Sequence, residues 1–231
     1  MLQDLALFSS ANGLKINADK TKCMVFNKTG RHIRCNIKCN DMMITSVREY
    51  KYLGFLIAPS GEVSTGIQDL KSREMYALAQ LRMKLGDNFR KNLRISLYLF
   101  DALVKPIMLY CSNFGGMLQI DKNNPSELLP KRNFIDLIHM KFLKQLLGVQ
   151  TQTPNIGVLL ETGRVPLLAY AIKNSVKNWH RIVKMNNSNP LVRLSFENIV
   201  EKDFDWQKNI RLLLSHIELG YILTSDEPSP K

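Results

Sequence analysis

The spacing of apolar residues near the start of the chain indicates first a helix and then a small sheet. Residues 2–11 have helical spacing, and Asn12-Gly13 is typical of a helix end. The apolar positions of that helix are Leu2, Leu5 and Phe8. Short apolar or alternating runs follow at residues 24–26, 33–39, 42–44 and 50–57. Asn40-Asp41 is typical of a tight turn, so we predict a small antiparallel sheet that carries one helix.

Beyond residue 61 the apolar positions recur every three or four residues, which is the period of helices. Patterns of this kind cover residues 67–85 and 93–107. Pro106 predicts a kink or an end near Lys105, because a proline ring clashes with the preceding turn. Further helices are predicted at residues 134–147 (ended by Gly148), 165–183, about 190–200 and about 204–218, and loops at 119–131, 186–190 and 224–231.

The composition fits a folded and strongly basic chain. The 231 residues carry 32 Lys and Arg against 20 Asp and Glu, a formal charge of +12, and 45% of them are hydrophobic. An excess of four positive charges falls in each of the ranges 1–63, 64–118 and 119–231. A charge of this kind favours a polyanionic partner. Its even spread predicts a basic surface built from several elements rather than a basic tail.

The sequence lacks the features of a membrane or secreted protein. No apolar run approaches the ~20 residues that cross a bilayer, so we expect no membrane partner. The first residues have neither the basic start nor the apolar stretch of a secretory signal. Four cysteines in a chain of this length do not make a disulfide framework. We therefore expect an intracellular protein with reduced thiols.

One group of residues has a spacing that suggests a metal site. It is His32, Cys35 and Cys39. Zinc needs four ligands, usually as two close pairs, and the fourth would be Cys23 or Cys111, neither of which belongs to a pair. Alternation places Cys35 and Cys39 on one strand face, which favours core packing over metal binding.

Carboxylates are the ligands that two-metal phosphoryl transfer requires, and they must converge. In the sheet region Asp19, Asp41 and Glu49 each lie in a predicted turn, and none is paired. Asp203 and Asp205 precede a helix, where negative charge complements the helix dipole. The sequence therefore shows no carboxylate cluster of its own. It also lacks glycine-rich phosphate loops and a Ser-His-Asp arrangement.

Two helical segments carry rows of cations. In the helix at 165–183 the predicted apolar stripe is Val165, Leu168, Ala169, Ile172, Val176, Trp179 and Val183. The other side of that helix carries Tyr170, Lys173, Lys177, Arg181 and Lys184. The segment from residue 90 places on one side Lys91, Arg94, Tyr98 and Lys105. Cations in a row with an aromatic residue and no acid suit a phosphate backbone, and a plain solvated surface is the alternative.

Three segments are recognisable as motifs in a fixed order. The first is Asn-Gly-Leu-Lys-Ile-Asn at 12–17 with Lys-Thr-Lys-Cys-Met-Val-Phe at 20–26, and the second is Tyr-Lys-Tyr-Leu-Gly-Phe-Leu-Ile at 50–57. The third includes Leu147-Gly148-Val149, Thr153-Pro154-Asn155, Gly163-Arg164 and Trp179-His180-Arg181-Ile182. In order and spacing these segments resemble motif D, motif E (the primer grip) and the helical region downstream of the thumb in reverse transcriptases of non-LTR (LINE-type) retrotransposons.

The resemblance implies roles for individual residues. Lys20, with Lys22 as second choice, is similar to the motif D lysine that protonates the leaving pyrophosphate as a general acid, and a solvated lysine is the alternative. Tyr52, Leu53 and Gly54 are similar to the turn that holds the primer 3′ end, and strand core is the alternative for Tyr52. The thumb helices would follow the template–primer by shape and backbone charge.

The resemblance also implies an organisation. In the family the Tyr-Ala-Asp-Asp turn precedes the helix that matches residues 2–11, so we expect Mg²⁺ only in the full-length polymerase and no cofactor in this chain. The expected fold is α+β, with a small antiparallel palm remnant at residues 1–60, thumb-like helices at 61–118 and a C-terminal helical region at 119–231.

The expected function is that of the C-terminal part of an RNA-directed DNA polymerase, which holds RNA template, DNA primer and RNA–DNA hybrid and is not catalytic alone. The alternatives are a non-enzymatic nucleic-acid-binding helical protein derived from a retroelement, and an inert remnant of such an element.

Overall fold

A computed structural model gives the architecture of the chain. It describes residues 2–17, 19–39, 42–114, 133–185, 189–201, 205–216 and 218–220. The chain divides into two compact units, Met1–Leu70 and Lys71–Lys231. Helices and short strands occur together, which confirms the predicted α+β class. The predicted turn at Asn40-Asp41, the loops at 119–131 and 224–231, and Asp203 lie outside the described residues.

The first unit begins with helix α1, Leu2–Ala11, as predicted. The helix ends at Gly13, whose φ of +64° belongs to the left-handed region that favours glycine, and the backbone N–H of Leu14 donates to the carbonyl of Ser9 (2.8 Å). The side of α1 that packs inward carries small residues, because Ala6 and Ser9 are buried. Leu5 and Phe8, which the helical spacing had grouped together, are exposed.

The strands of the first unit are short and form two sheets. They are β1 Lys22–Cys23, β2 Ile37–Cys39, β3 Met42–Ser46, β4 Tyr50–Tyr52 and β5 Phe55–Ile57. One sheet has the order β1-β3-β2 and the other is the hairpin β4-β5. A small core forms beneath α1 from Ala6, Cys39 and Ile44, with Leu2, Ile16, Cys23 and Ile37 packed against it.

The prediction of an antiparallel sheet is wrong for β1. β2 and β3 are antiparallel, with Cys39 opposite Met42, and β4 and β5 are antiparallel as well. β1, however, runs parallel to β3, with Lys22 opposite Thr45. Parallel pairing needs a connection of a dozen or more residues, and the long excursion between β1 and β3 supplies it. Residues 24–26, predicted as a strand, follow β1 without entering a ladder.

The remaining elements are helical. They are α2 Ser64–Leu85, α3 Asn88–Lys91, α4 Leu93–Leu99, a π-helix Phe100–Val104, α5 Lys105–Met108, a 3₁₀ helix Ser112–Phe114, α6 Phe134–Leu147, α7 Asn155–Thr162, α8 Leu167–Met185, α9 Pro190–Glu201 and α10 Asp205–His216. In the part of the chain that is described, no helix is long and apolar enough to span a bilayer.

Local sequence explains the ends of α6 and α7. The side chain of Asn133 accepts a hydrogen bond from the backbone N–H of Ile135 (2.9 Å) at the start of α6, and Gly148 ends it at a φ of +70°. The predicted bounds of this helix are confirmed. α7 was not predicted, because it is short and contains Gly157, although Gly163 ends it in the same way with a φ of +60°.

The π-helix confirms the predicted interruption near Lys105. Pro106 lies in the first turn of α5, where its missing N–H is tolerated. The wider turns of Phe100–Val104 lead the backbone into that proline. Inside the second unit, the ring of Phe100 stacks on Phe142 with centroids 4.1 Å apart, and the buried ring of His139 stacks on Phe100 at 5.5 Å.

Candidate nucleic-acid interface

Helix α8 presents a row of cations on one side. The row consists of four cations and one aromatic residue, all exposed, and we call it the α8 cationic row. Its members are Tyr170, Lys173, Lys177, Arg181 and Lys184. At about 100° of rotation and 1.5 Å of rise per residue, they fall within an arc of roughly 80° and a length of about 21 Å. Leu167–Met185 contains no Asp or Glu. The five residues therefore lie on one exposed side of α8.

The opposite side of α8 is rotated relative to the predicted stripe. Leu168, Trp179 and Val183 are buried as predicted, but Ala169 is exposed, and the exposed Val165 lies before the helix. The reason is a pair of buried polar residues. The hydroxyl of Ser175 donates to the carbonyl of Ser112, and Nδ2 of Asn178 donates to the carbonyl of Asn113 (3.1 Å). Buried polar groups are stable only with such partners, so these bonds fix the rotation of the helix.

The start of α8 is anchored to α6. Oδ1 of Asp136 accepts a hydrogen bond from the backbone N–H of Leu168 (3.2 Å), a position where a carboxylate complements the helix dipole. Burial raises the pKa of Asp136, and the hydrogen bonds from Leu168 and Leu167 oppose that rise. The anchor sets the point from which the α8 cationic row begins.

A bidentate ion pair braces the same region. Nη1 of Arg164, just before α8, lies 2.6 and 2.7 Å from the two carboxylate oxygens of Asp101 in the π-helix. Neither residue was among the predicted site residues. They are 63 residues apart, and although Arg164 belongs to the third motif segment, nothing along the chain links it to Asp101.

The second predicted row does not form one continuous helical side, and that prediction is wrong. Asn92 ends α3 and starts α4, since its φ is −125° and its Oδ1 accepts from the N–H of Ile95 (3.2 Å). Lys91 and Arg94 therefore lie on different helices, both exposed. The Asn92 cap was readable in the sequence, since asparagine favours this position.

Lys105 nevertheless joins the α8 cationic row. Its Nζ lies 3.8 Å from the ring centroid of Tyr170, and 3.9 Å from Oδ1 of Asp101. Its side chain is only 19% exposed. The structure thus brings one member of each predicted row together at the N-terminal end of α8.

The motif E-like segment is a hairpin with a strained tip. Leu53 and Gly54 link β4 to β5 with φ values of +48° and +87°, the signs of a type I′ turn. Glycine accepts this conformation, but leucine rarely does. Leu53 is 75% exposed and Tyr52 58% exposed, so the tip presents apolar surface.

The hairpin is fixed within the first unit by contacts to α2. Nζ of Lys51 lies 3.6 Å from Oδ2 of Asp69. The ring of Phe55 packs directly on the backbone of Gly66, where a Cβ atom would overlap the ring. Beside the hairpin is a cleft of about 280 Å³ lined by Lys22, Cys23, Met24, Phe26, Val47, Tyr50, Tyr52 and Ile57. The motif D-like and motif E-like segments therefore share one cleft.

The two lysines of the motif D-like segment, Lys20 and Lys22, differ in their surroundings. Nζ of Lys22 donates to Oγ1 of Thr45 (2.9 Å), so its ammonium group is engaged in the sheet. Lys20 is exposed, and its backbone carbonyl accepts a hydrogen bond from the hydroxyl of Tyr50 (3.2 Å). This bond ties the Lys20 turn to the hairpin.

The candidate metal ligands do not come together as one group among the described residues. Cys39 is buried in the core of the first unit, as predicted, and Nε2 of His32 contacts Oγ of Ser46 (2.8 Å). Cys35 precedes β2 instead of sharing a strand face with Cys39, which corrects that prediction. Across the described ranges no three His, Cys, Asp or Glu side chains form a metal-binding group. The described residues therefore do not offer a Mg²⁺ site.

Comparison of the chain with protein-family models, with curated proteins and with solved structures gives no match.

Proposed function

We propose that this chain holds a nucleic-acid backbone, as the C-terminal part of an RNA-directed DNA polymerase of a non-LTR retrotransposon. The observation that carries the binding proposal is the α8 cationic row, whose four cations are exposed on one side of a helix that contains no acid. Successive cations are about 4.5–6 Å apart along the axis. A duplex carries one negative charge per ~1.7 Å, so each cation can meet its own phosphate.

Tyr170 and Lys105 extend this surface at one end. An aromatic side chain beside a row of cations offers a ring on which a base can stack without sequence preference. The Lys105 ammonium over that ring adds a further positive charge close to it. Arg164 is engaged with Asp101, and we propose that it braces this end of the surface instead of contacting phosphate.

The polymerase part of the proposal rests on the sequence resemblance, with the hairpin as its structural counterpart. Tyr52, Leu53 and Gly54 form an exposed tip, and leucine at a positive φ is the kind of strain that collects at ligand-contacting turns. We propose that this tip contacts the primer end. Lys20 is the better candidate for the motif D lysine, because the Lys22 ammonium is bonded to Thr45. We assign no catalytic step to the chain alone.

A non-enzymatic nucleic-acid-binding protein derived from a retroelement is the second candidate. The observation that favours it is that the α8 cationic row belongs to the second unit and needs nothing from the motif D-like or motif E-like segments. Binding by α8 would persist even if the hairpin contacted no primer. An inert remnant would show neither kind of binding.

Fluorescence anisotropy with a labelled RNA–DNA hybrid tests the binding proposal. For a surface that meets four phosphates, the slope of log affinity against log salt is expected to be about −3 to −4. Changing the four cations to glutamine (K173Q, K177Q, R181Q and K184Q together) removes these contacts, so the slope should shrink. Nη2 of Arg181 also donates to Oδ1 of the buried Asn178 (3.0 Å), so circular dichroism of the variant checks that α8 stays folded. The matched control changes four exposed cations of the first unit: K15Q, K28Q, R34Q and K38Q.

The two variants remove the same net charge, so they separate a located surface from a general charge effect. Equal slopes in both variants would mean that α8 is merely solvated. The polymerase reading is tested separately with a recessed 3′ primer end against a blunt hybrid. It predicts tighter binding of the recessed end, with that preference lost in Y52A. If the unaltered chain does not prefer the recessed end, only the second candidate remains, a non-enzymatic helical protein that binds nucleic acid.

A further inference from the structure

The first unit contains two cysteines whose sulfurs are in contact. Sγ of Cys35 lies 3.0 Å from Sγ of Cys23, with the Cys35 thiol donating to the Cys23 sulfur. Both residues are half-buried and carry free thiols. A disulfide bond is ~2.0 Å long, so a shift of about 1 Å would bring the atoms to bonding distance.

Ser46 holds the two cysteine-bearing segments side by side. In the parallel ladder its residue pairs with Cys23. Its hydroxyl donates to the carbonyl of Ile33 (2.9 Å) and accepts from Nε2 of His32 (2.8 Å), both in the segment that leads to Cys35. The backbone N–H of Val47, next to Ser46, also donates to the carbonyl of Cys23 (3.0 Å). The sulfur contact is therefore supported by an independent set of hydrogen bonds.

We propose that Cys23 and Cys35 are a modification site that closes to a disulfide under peroxide. The thiolate of one cysteine attacks hydrogen peroxide; an S–O bond forms, the O–O bond breaks, and hydroxide leaves. The second thiol then attacks the sulfenic sulfur; the S–S bond forms, the S–O bond breaks, and the oxygen leaves as water. In total the two thiols lose two electrons and two protons, and the peroxide becomes two molecules of water.

The surroundings predict that this pair reacts slowly at neutral pH. The hydrogen bond with Cys35 and burial raise the pKa of Cys23, which keeps its thiol protonated. Cys39 is buried against Ala6 and Ile44, and its thiol donates to the backbone carbonyl of Leu2 (3.7 Å), whereas the Cys35 thiol donates to Cys23. The expected product is therefore the link between Cys23 and Cys35, although Cys35 and Cys39 are closer along the chain.

Peptide mapping of the full chain tests the proposal. After reduction, exposure to hydrogen peroxide and blocking of the remaining thiols, trypsin leaves Cys23 in the peptide 23–28, Cys35 in 35–38 and Cys39 in 39–48. Mass spectrometry should find 23–28 linked to 35–38 as the main product. The link should be lost in C35S and retained in C111S. S46A, which keeps both thiols but removes the hydroxyl contacts, should close more slowly.

The same reaction in concentrated urea is the matched control. In an unfolded chain short loops close most readily, so the link between 35–38 and 39–48 should gain at the expense of the native link. A folded chain that yields the 35–39 link, a link between two chains, or no link in the presence of peroxide would overturn the proposal. Nucleic-acid binding is not part of this measurement, so its result is independent of the proposed function.

Discussion

The ammonium group of Lys105 lies 3.8 Å from the centre of the Tyr170 ring, and it joins the segment after the π-helix to the first exposed turn of α8. The same ammonium group is 3.9 Å from Asp101, whose carboxylate also holds Arg164. The N-terminal end of the α8 cationic row is therefore held by side chains from several elements. The rest of the row, from Lys173 onward, depends on the rotation of α8, which Ser175 and Asn178 fix through Ser112 and Asn113.

The Lys105–Tyr170 contact should be measurable as a coupling energy. Y170L removes the aromatic face, and we expect the unfolding free energy to fall by about 0.5–1 kcal/mol more than the loss of packing alone, because a cation–π contact contributes about that much. Y170F keeps the face and should match the unaltered chain. A double-mutant cycle of K105M and Y170L in urea isolates the contact. A coupling energy near zero would show that the two side chains are merely neighbours.

Leu53 should be replaceable with a gain in stability. Its φ of +48° costs an L-residue free energy that asparagine tolerates better. We expect L53N to slow hydrogen exchange of the Tyr50–Ile57 amides by an amount that corresponds to about 0.5–1 kcal/mol. L53A keeps the strained turn and should give no gain. If L53A stabilises the hairpin as much as L53N does, the strain does not lie in the backbone.

The contact of Phe55 with Gly66 should make alanine at position 66 destabilising. A Cβ atom there overlaps the ring, so we expect G66A to lower the unfolding free energy by about 1–3 kcal/mol in urea, as overpacking does. G157A is the control. Gly157 also lies inside a helix but has open space around its Cα, so alanine should stabilise by about 0.5–1 kcal/mol. The double variant G66A/F55L should recover most of the loss.

Two buried groups should give opposite pH dependences of stability. Burial raises the pKa of Glu74 to about 7, and Lys71 and Arg73 only partly offset this. Its folded pKa is above the ordinary 4.5, so its contribution to stability is full below pH 4.5 and is lost as the pH rises through 7. Burial, together with Arg164 and Lys105, lowers the pKa of His139 to about 4. Its contribution is full above pH 6.5 and is lost as the pH falls towards 4.

Between about pH 4.5 and 6.5 the two changes of unfolding free energy with pH nearly cancel, and single variants should reveal each one. As the pH rises from 4.5 to 7, the unfolding free energy of E74Q should rise by up to about 3 kcal/mol relative to that of the unaltered chain. As the pH falls from 6.5 to 4, the unfolding free energy of H139L should rise by a similar amount relative to that of the unaltered chain. Urea unfolding at several pH values gives both difference profiles. An E74Q profile parallel to that of the unaltered chain would mean that Glu74 titrates normally in the folded state.

Local signals in the sequence predicted the helices whose ends carry them. Asn133 and Gly148 bound α6, and the charged positions of α8 identified its exposed side before any contact was known. The rotation of the buried side was not predictable, because Ser175 and Asn178 look like surface residues until their carbonyl partners more than 60 residues earlier are known. Burial of a polar residue depends on partners that periodicity does not report.

The same limit applies to the sheet and to the second row. The parallel pairing of β1 depends on the path of the chain between residues 24 and 41, which alternation does not encode. Asn92 is a typical helix cap, but the helical spacing of apolar residues on both sides of it suggested one continuous helix. The meeting of Lys105 with Tyr170, and of Cys23 with Cys35, depends on tertiary packing alone.

The π-helix makes this region sensitive to the number of residues it contains. Its wider turns hold more residues per turn than an α-helix does. Deleting one residue from 100–104 would leave the loops untouched, yet it would change the rotational phase of the adjoining helix α5 by about 100°. The ammonium group of Lys105 would then lose its contact with the Tyr170 ring. We therefore expect single-residue insertions and deletions at this position to impair the molecule, while length changes in its loops are tolerated.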